Sequence, residues 1–240
     1  MKEVIKVGIV IADECEYEPL RNMKDGLQAQ RADFYKREGH IFSFNKDGKQ
    51  IIVHTVLCGI GMVNAAAAAT FLATEGCDII LNSGLSGGIS GISKNELMIG
   101  NKYIEHDFDL TPLGYKPFEK PLQNYMYSAD GELIDMFKGL YPEIKVGVAV
   151  SGDSFVSDND KREFLKNELN AMSCDMESAA VAYVCENANI KYLALRRISD
   201  DAGDDAKNSY NSMNELKESV LIDILISAIK KIFDVENFWN

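Results

Sequence analysis

The chain has 240 residues, 46% of them hydrophobic, which suits one large α/β domain with a substantial buried core. Its formal net charge of −12 and pI of about 4.8 argue against nonspecific binding to nucleic acid or to an anionic membrane. No apolar run approaches the roughly 18 residues of a membrane span, and we expect no signal peptide because the N-terminus leads straight into a strand pattern.

Cysteine and histidine usage indicates a reducing compartment and no built-in metal site. The five cysteines are an odd number, widely spaced and without a C-x-x-C pair, so we expect small, reduced, buried side chains in a cytoplasmic protein. Three scattered histidines do not form a metal-ligand pattern, although carboxylates alone suit Mg²⁺. We expect no cofactor.

Four short apolar runs predict buried strands of a parallel sheet, at residues 5–12, 78–82, 146–150 and 192–195. Between the first two, alternating apolar residues from 34 to 53 predict antiparallel hairpin strands. Helices are predicted between the strands and in the C-terminal segment, at about residues 16–23, 62–75, 132–140, 160–167 and 178–189, and after Ser212.

The last predicted helix begins with a capping box, Ser212-x-x-Glu215. Its predicted core face consists of apolar residues at helical spacing: Leu216, Val220, Leu221, Ile224, Leu225, Ala228 and Ile232. Alternating strands and helices without a linker predict one domain, residues 1–240, of three-layer α/β/α type with a mostly parallel, mixed central sheet.

Polar segments follow all four buried strands, at residues 13–16, 83–88, 151–155 and 199–201. Ligands of such sheets bind beyond the carboxyl ends of the strands. A helix of about 12 residues after Glu177 travels roughly 18 Å, and a strand of about 7 residues returns roughly 23 Å. Glu177 and Asp200 are therefore expected at one edge with Glu16, in a site with almost no basic residues.

Three carboxylates without a metal suit acid–base chemistry on a neutral, polyhydroxylated substrate. A glycosidic bond breaks through a cation-like sugar transition state, which an acid, a base and an anionic pocket stabilise. The alternative for each acid is structural, since carboxylates at the start of a helix are stabilised by its dipole.

Several motifs, in this order, resemble the nucleoside phosphorylase/nucleosidase superfamily, and most closely the 5′-methylthioadenosine/S-adenosylhomocysteine nucleosidases. The resemblance covers nearly the whole chain and gives the sheet its expected nucleoside phosphorylase-like form. The motifs are Gly8-Ile9-Val10-Ile11-Ala12 leading to Glu16, Gly59-Ile60-Gly61, Asn82-Ser83-Gly84 with Gly87-Gly88, His106-Asp107-x-Asp109-x-Thr111 to Gly114-Tyr115, Ser151-Gly152-Asp153-x-Phe155, Asp175-Met176-Glu177-x-Ala179 and Ile198-Ser199-Asp200.

The resemblance implies hydrolysis of the N-glycosidic bond of methylthioadenosine, adenosylhomocysteine or related adenosine derivatives, in methionine salvage. Asp200, oriented by Ser199, would protonate or hydrogen-bond N7 of adenine, which requires a raised pKa. Glu16 would be the general base for the attacking water. Phe155 would stack on adenine, and the backbone of Val156 would contact the edge of the base.

On the ribose side, the resemblance implies that Glu177 binds sugar hydroxyls and that Met176 packs on the ring. Asp175 and Ile60 complete this part of the predicted substrate-binding set. The loop from His106 to Tyr115 would meet a second subunit and help to close the 5′ pocket, which implies a homodimer.

One position departs from the pattern. Leu85 stands where these nucleosidases typically have a serine near the catalytic base, and Ser86 follows it. Both are included among the predicted substrate-binding residues, and whether Ser86 takes over the serine's place stays open at the sequence level.

Three other functions are weighed against hydrolysis. A purine nucleoside phosphorylase needs arginines beside the sugar, but Asn82 stands at one such position and Arg21 echoes the other only weakly. A nucleoside-binding protein with weak or no turnover is compatible with Leu85. The pattern Gly84-x-Ser86-x-Gly88 fits a serine hydrolase only if it opens a helix, and residues 89–94 indicate a loop.

Overall fold

The structure is a computed structural model that describes residues 3–23, 27–34 and 36–239. The strands are β1 Val4–Ile11, β2 Gln30–Arg31, β3 Gly39–Lys46, β4 Lys49–Leu57, β5 Ile79–Gly88, β6 Leu97–Glu105, β7 Met126–Ser128, β8 Lys145–Ser151, β9 Ala171–Asp175 and β10 Lys191–Asp200. The helices are α1 Glu14–Met23, α2 Met62–Thr74, α3 Gly131–Leu140, α4 Asn159–Leu169, α5 Ser178–Ala188, α6 Ala206–Asn214 and α7 Val220–Lys231. Within these ranges no helix is long and apolar enough to cross a bilayer.

All ten strands belong to one mixed sheet, in the order β10-β6-β8-β9-β5-β1-β4-β3-β2, with β7 beside β6. β10 also pairs with β5, so β5, β10, β6, β8 and β9 form a closed ring. β1 runs parallel to β4 and β5, and β10 runs parallel to β5. This confirms the predicted α/β class with a mixed central sheet.

Helices cover both faces of the sheet, because its central strands bury both of their faces. Ile79 and Leu81 of β5 point into one core, with α1, α3 and α7, whereas Ile80 points into the other, with α2 and α5. The alanine-rich α2 lies close to the sheet: a Cβ at Gly8 of β1 would stand 2.8 Å from a methyl carbon of Leu72. The three predicted layers are therefore present.

The predicted loop at residues 83–88 is wrong, because β5 continues through it to Gly88. Parallel pairing with β10 extends along this stretch, and Gly87 and Gly88 also pair with β9. Its glycines are typical of a loop, but here their small size makes room for side chains of the strands on either side. The stretch is no nucleophile elbow, because no helix follows it.

The predicted start of the last helix is also wrong. Ser212 lies inside α6, where its hydroxyl donates to the carbonyl of Asn208, four residues earlier, at 2.9 Å. Leu216 and Val220 are 62% and 37% exposed, so neither belongs to the core face. The predicted core residues from Leu221 onward are buried, because the C-terminal segment forms two helices and the second, α7, which starts only at Val220, packs into the hydrophobic core.

Candidate active site

A cavity of about 250 Å³ lies at the carboxyl ends of the central strands. All eleven residues predicted to form the site line it: Glu16, Ile60, Leu85, Ser86, Phe155, Val156, Asp175, Met176, Glu177, Ser199 and Asp200. These residues come from six separate segments of the chain. They meet because parallel strands end at one edge of the sheet.

Glu16 projects from the first turn of α1, directly after β1. One carboxylate oxygen accepts a hydrogen bond of 2.7 Å from the N–H of Leu85, and the other lies 3.4 Å from the N–H of Asp13. Burial raises the pKa of Glu16 to about 8. The neighbouring charge of Glu177 adds to this rise, whereas the hydrogen bond from Leu85 opposes it. The group is thus suited to accept a proton near neutral pH.

Asp175 ends β9 and braces the turn into α5. One of its oxygens accepts hydrogen bonds from the Ser151 hydroxyl at 2.6 Å and from the N–H groups of Glu177 and Ser178, at 3.0 and 2.9 Å. The other accepts from the Ser178 hydroxyl and from Nε of Arg196, the latter at 2.9 Å. With five donors on its carboxylate, Asp175 braces this turn, and it also lines the cavity as predicted.

Arg196 is the main feature that the sequence analysis missed. It is 1% exposed on β10, beneath the carboxylates, although the site was predicted to have almost no basic residues. Its guanidinium donates to Asp175, to the Ser178 hydroxyl at 2.8 Å and to the Asn82 side chain. Burial on its own raises the pKa of Asp175, but the Arg196 charge and the hydrogen bonds outweigh it and lower that pKa.

Gly84 lies between Arg196 and Glu16, and its lack of a side chain leaves room for both. A Cβ at this position would lie 2.7 Å from Nη1 of Arg196 and 2.9 Å from both carboxylate oxygens of Glu16. Among the described residues, Nη1 has no hydrogen-bond acceptor, whereas Nε and Nη2 do. The glycine therefore leaves the base and a free guanidinium N–H side by side.

Glu177 lies between the Asp175 turn and the start of α2. Its Oε1 accepts a hydrogen bond of 3.0 Å from the N–H of Gly61, and its Oε2 lies 3.9 Å from Nη2 of Arg196. Burial raises the pKa of Glu177 to about 7 and outweighs the opposing effect of the Arg196 charge. One carboxylate oxygen is therefore anchored to the backbone, while the side chain lines the cavity.

Asp153 holds the same loop from its other side. It accepts a hydrogen bond of 2.7 Å from the N–H of Met62, and its own N–H donates to Asp107 at 2.7 Å. Two consecutive N–H groups at the start of α2, those of Gly61 and Met62, are thus held by carboxylates from two different strand ends. This fixes the position of Ile60, which lies just before them.

Asp200 ends β10 and is buried. Its carboxylate accepts from the Ser199 hydroxyl at 2.6 Å and from the N–H of Ala202 at 2.8 Å. Burial raises its pKa and outweighs these hydrogen bonds. Gly87 provides the space, since a Cβ there would stand 3.0 Å from Oδ1 of Asp200 and 3.1 Å from Sγ of Cys174.

The question left open at Leu85 has a structural answer. The hydroxyl of Ser86 donates to the carbonyl of Cys174 at 2.8 Å, which ties β5 to β9. It is therefore engaged away from Glu16, while Leu85 offers Glu16 its backbone N–H instead of a side-chain hydroxyl.

Tyr210, on α6, is a lining residue that was not predicted. Its ring packs edge-on against Phe155, with centroids 5.5 Å apart, and burial raises its pKa. Ala206, Tyr210 and Met213 lie at helical spacing, a signal that would have revealed α6.

The loop that begins at His106 does not line this cavity. His106 is buried, burial lowers its pKa, and neither ring nitrogen has a hydrogen-bond partner within the described part of the chain. Leu113, in the same loop, is 73% exposed. Among the described residues, no group of three His, Cys, Asp or Glu side chains is arranged to hold a metal ion.

Comparison with known proteins agrees with this arrangement. The family model described as "Phosphorylase superfamily" matches residues 6–229. The 5′-methylthioadenosine/S-adenosylhomocysteine nucleosidase of Haemophilus influenzae strain PittEE is 32% identical over 212 residues, which cover 85% of this chain and 89% of the relative.

Two solved structures from Helicobacter pylori have the same fold. One is a 5′-methylthioadenosine/S-adenosylhomocysteine nucleosidase, with a TM-score of 0.87, 26% identity and coverage of 96% of this chain and 100% of the neighbour. It is complexed with a pyrrolidinol that carries an aminopyrrolopyrimidine and a propynylthio group. The other is a futalosine hydrolase, with a TM-score of 0.86, 27% identity and coverage of 95% and 98%.

Proposed function

We propose a function from the premise that this chain belongs to the phosphorylase superfamily and, within it, to the 5′-methylthioadenosine/S-adenosylhomocysteine nucleosidases. It hydrolyses the N-glycosidic bond of methylthioadenosine, adenosylhomocysteine or related adenosine derivatives. The products are adenine and a 5-thio-ribose. The observation that carries the proposal is a cavity with carboxylates at both ends and, among its described lining residues, no Lys, Arg or His.

The leaving group is activated at the Asp200 end of the cavity. A carboxyl group with a raised pKa shares or gives a proton to N7 of adenine, so the base leaves as a neutral molecule. The Ser199 hydroxyl fixes the orientation of the carboxyl group, and Phe155 supplies an aromatic face for stacking.

The nucleophile is activated at the opposite end. Water attacks C1′ as the bond from C1′ to N9 breaks, and a proton of that water passes to Glu16. Its pKa of about 8 suits a base that works near neutral pH. The free Nη1–H of Arg196 beside Gly84 is a second contact for this water and replaces the missing serine.

The sugar lies between these two ends. Glu177 presents its remaining acceptor capacity to ribose hydroxyls, and Met176 supplies an apolar surface for the ring. The carboxylates around the sugar stabilise the positive charge that develops on it in the transition state.

Water is favoured over phosphate as the nucleophile by the charge of the cavity. A bound phosphate needs cationic or other strong donors beside the sugar. Nε and Nη2 of Arg196 are already bound to Asp175, Ser178 and Asn82, so this buried side chain offers only the single Nη1–H, which is too few donors for a phosphate. A dianion placed between Glu16 and Glu177 would be repelled.

The test is a panel of nucleosides incubated with and without phosphate, with release of free base followed. We expect adenine from methylthioadenosine at the same rate in both conditions. Phosphate-dependent cleavage that yields a sugar 1-phosphate would establish a phosphorylase instead. Adenine binding without cleavage of any adenosine derivative would establish a binding protein.

We further propose a homodimer in which the loop from His106 to Tyr115 meets the partner. The exposed Leu113 supports this, since a large apolar side chain gains burial in an interface. Light scattering on the purified protein, with Leu113→Glu as the disrupting variant, tests it. Residues 1–240 would act as one catalytic domain in methionine salvage, and five free cysteines support a cytoplasmic location.

A further inference from the structure

A basic groove lies next to the loop that carries Ile60. This groove, about 590 Å³, is lined by Phe34, Lys36, Arg37, Cys58, Asn64 and Ala67. It therefore brings two cations together on a chain whose net charge is −12. Neither cation belongs to the chemistry of the cavity described above.

Arg37 is held against this loop but is not neutralised. A Cβ at Gly59 would stand 3.0 Å from Nη1 of Arg37, so the guanidinium lies directly on that residue. Its Nη2 donates to the side-chain oxygen of Asn64 at 3.1 Å. Among the described residues, no carboxylate forms an ion pair with Arg37.

Arg21 is a contrasting case, because carboxylates surround its guanidinium. It forms ion pairs with Glu14, Glu18 and Glu38, at 2.6, 3.1 and 2.7 Å. Glu38 is the sequence neighbour of Arg37, yet its carboxylate binds Arg21. Arg37 thus keeps guanidinium donors for an anion from outside.

The groove and the cavity are adjacent. Ile60, which lines the cavity and is 49% exposed, follows Gly59, and neighbouring Cα atoms lie about 3.8 Å apart. The buried thiol of Cys58 lines the groove: burial raises its pKa, the charges of Glu177 and Glu16 raise it further, and the charge of Arg37 lowers it.

In the proposed binding mode, adenine lies at Asp200 and the sugar at Glu177, whose Oε1 is bound to the N–H of Gly61. An extended 5′ substituent would then run along the loop of Gly59, Ile60 and Gly61, because Ile60 lines the cavity and Arg37 lies against Gly59.

We propose that Arg37, with Lys36 beside it, binds the carboxylate of an extended 5′ substituent and favours adenine nucleosides that carry one, such as adenosylhomocysteine. This rests on the proposed nucleosidase function. Arg37 would form a charge-assisted, bidentate pair with the carboxylate, and Lys36 would add a point charge. The short methylthio group reaches neither, so the pair would set specificity without a part in bond cleavage.

Two synthetic substrates of matched length isolate the carboxylate: 5′-butylthioadenosine, which is neutral, and 5′-(3-carboxypropylthio)adenosine. We expect Arg37→Met to lower kcat/KM for the carboxylate substrate roughly fivefold, the scale of a partly exposed ion pair, and to leave the neutral one within about twofold. Salt at 0.5 M should reduce the preference of the wild type similarly. Arg37→Lys should retain part of it, and Lys36→Met should have the smaller effect.

An equal effect of Arg37→Met on both substrates, or none on either, would overturn the proposal. Dissociation of a wild-type dimer by Arg37→Met would also overturn it, by making Arg37 an interface residue. If the wild type releases adenine from neither compound, the nucleosidase function fails on its own. Calorimetric binding of the same two compounds then decides the Arg37 question by the same comparison.

Discussion

Glu16→Gln should abolish turnover and at the same time stabilise the protein at alkaline pH. The substitution keeps the oxygen that accepts the Leu85 N–H, at 2.7 Å, but removes the ionisable group. A glutamine cannot take the proton of the attacking water, so adenine release should fall by at least about 100-fold.

The gain in stability follows from the pKa of Glu16, which burial raises from 4.5 to about 8. Below pH 4 the group is protonated in both the folded and the unfolded chain and costs nothing. Between pH 4.5 and 8 the folded chain holds the proton while the unfolded chain releases it, so the free energy of unfolding falls as pH rises. Above pH 8 the cost is complete.

Each pKa unit corresponds to about 1.4 kcal/mol, and full conversion of the shift would give about 5 kcal/mol. We take ~2 kcal/mol, because the carboxyl group opens to the cavity and is screened there by solvent. For a chain of this length that raises Tm by roughly 4–8 °C at pH 8.5, with little change at pH 4.5.

The assay is thermal unfolding of wild type and variant at both pH values, with adenine release measured on the same samples. Glu14→Gln is the matched control, since Glu14 lies in the same helical turn but is exposed. A variant that is no more stable than wild type at pH 8.5 would refute the burial argument. Retained turnover would remove Glu16 as the base.

Three further predictions concern the rest of the site. In adenine-release assays, Asp200→Asn should lower kcat at least ~100-fold. Ser199→Ala should lower it only about 10-fold, because Ser199 orients the Asp200 carboxyl group through its 2.6 Å hydrogen bond and does not transfer the proton. Equal losses of kcat in the two variants would contradict these roles. Asp153→Ala should raise KM severalfold and leave kcat within about threefold of the wild type. Asp153→Asn should restore KM, because it keeps an acceptor for the N–H at the start of α2. A loss of kcat in Asp153→Ala would instead make Asp153 part of the catalytic step. Arg196→Met should lower the free energy of unfolding in urea by about 3–5 kcal/mol, because it leaves the Asp175 carboxylate buried without its counter-charge. Adding Asp175→Asn should recover part of this loss. If the double variant recovers none of it, the unpaired carboxylate is not the cause.

Interactions that join distant parts of the chain had no local signature. The ion pair of Arg196 with Asp175 spans 21 residues, the hydrogen bond from Leu85 to Glu16 spans 69, and the one from Gly61 to Glu177 spans 116. In sequence, Arg196 reads as the end of an apolar strand. Only packing shows that it is buried and neutralised beneath the site.

Local composition also misled where tertiary pairing overrode it. The serines and glycines of residues 83–88 resemble a loop, yet β10 on one side and β9 on the other hold them as a strand. The Ser212 capping box failed because α6 continues through Ser212 to Asn214. Turn and cap preferences are weak compared with the pairing and packing that compete with them.

The α/β class and the residues around the cavity could be predicted from the sequence. Short apolar runs predicted the buried strands, and Glu16, Glu177 and Asp200 were expected together because parallel strands end at one edge. The family resemblance implied the remaining residues, and all eleven line the cavity. What each residue can do depends on the fold, because a carboxyl group's pKa is set by its burial and by neighbours that come from distant parts of the chain. The fold turned Asp175 into a brace, gave Glu16 a pKa of about 8 and placed Arg196 beside it.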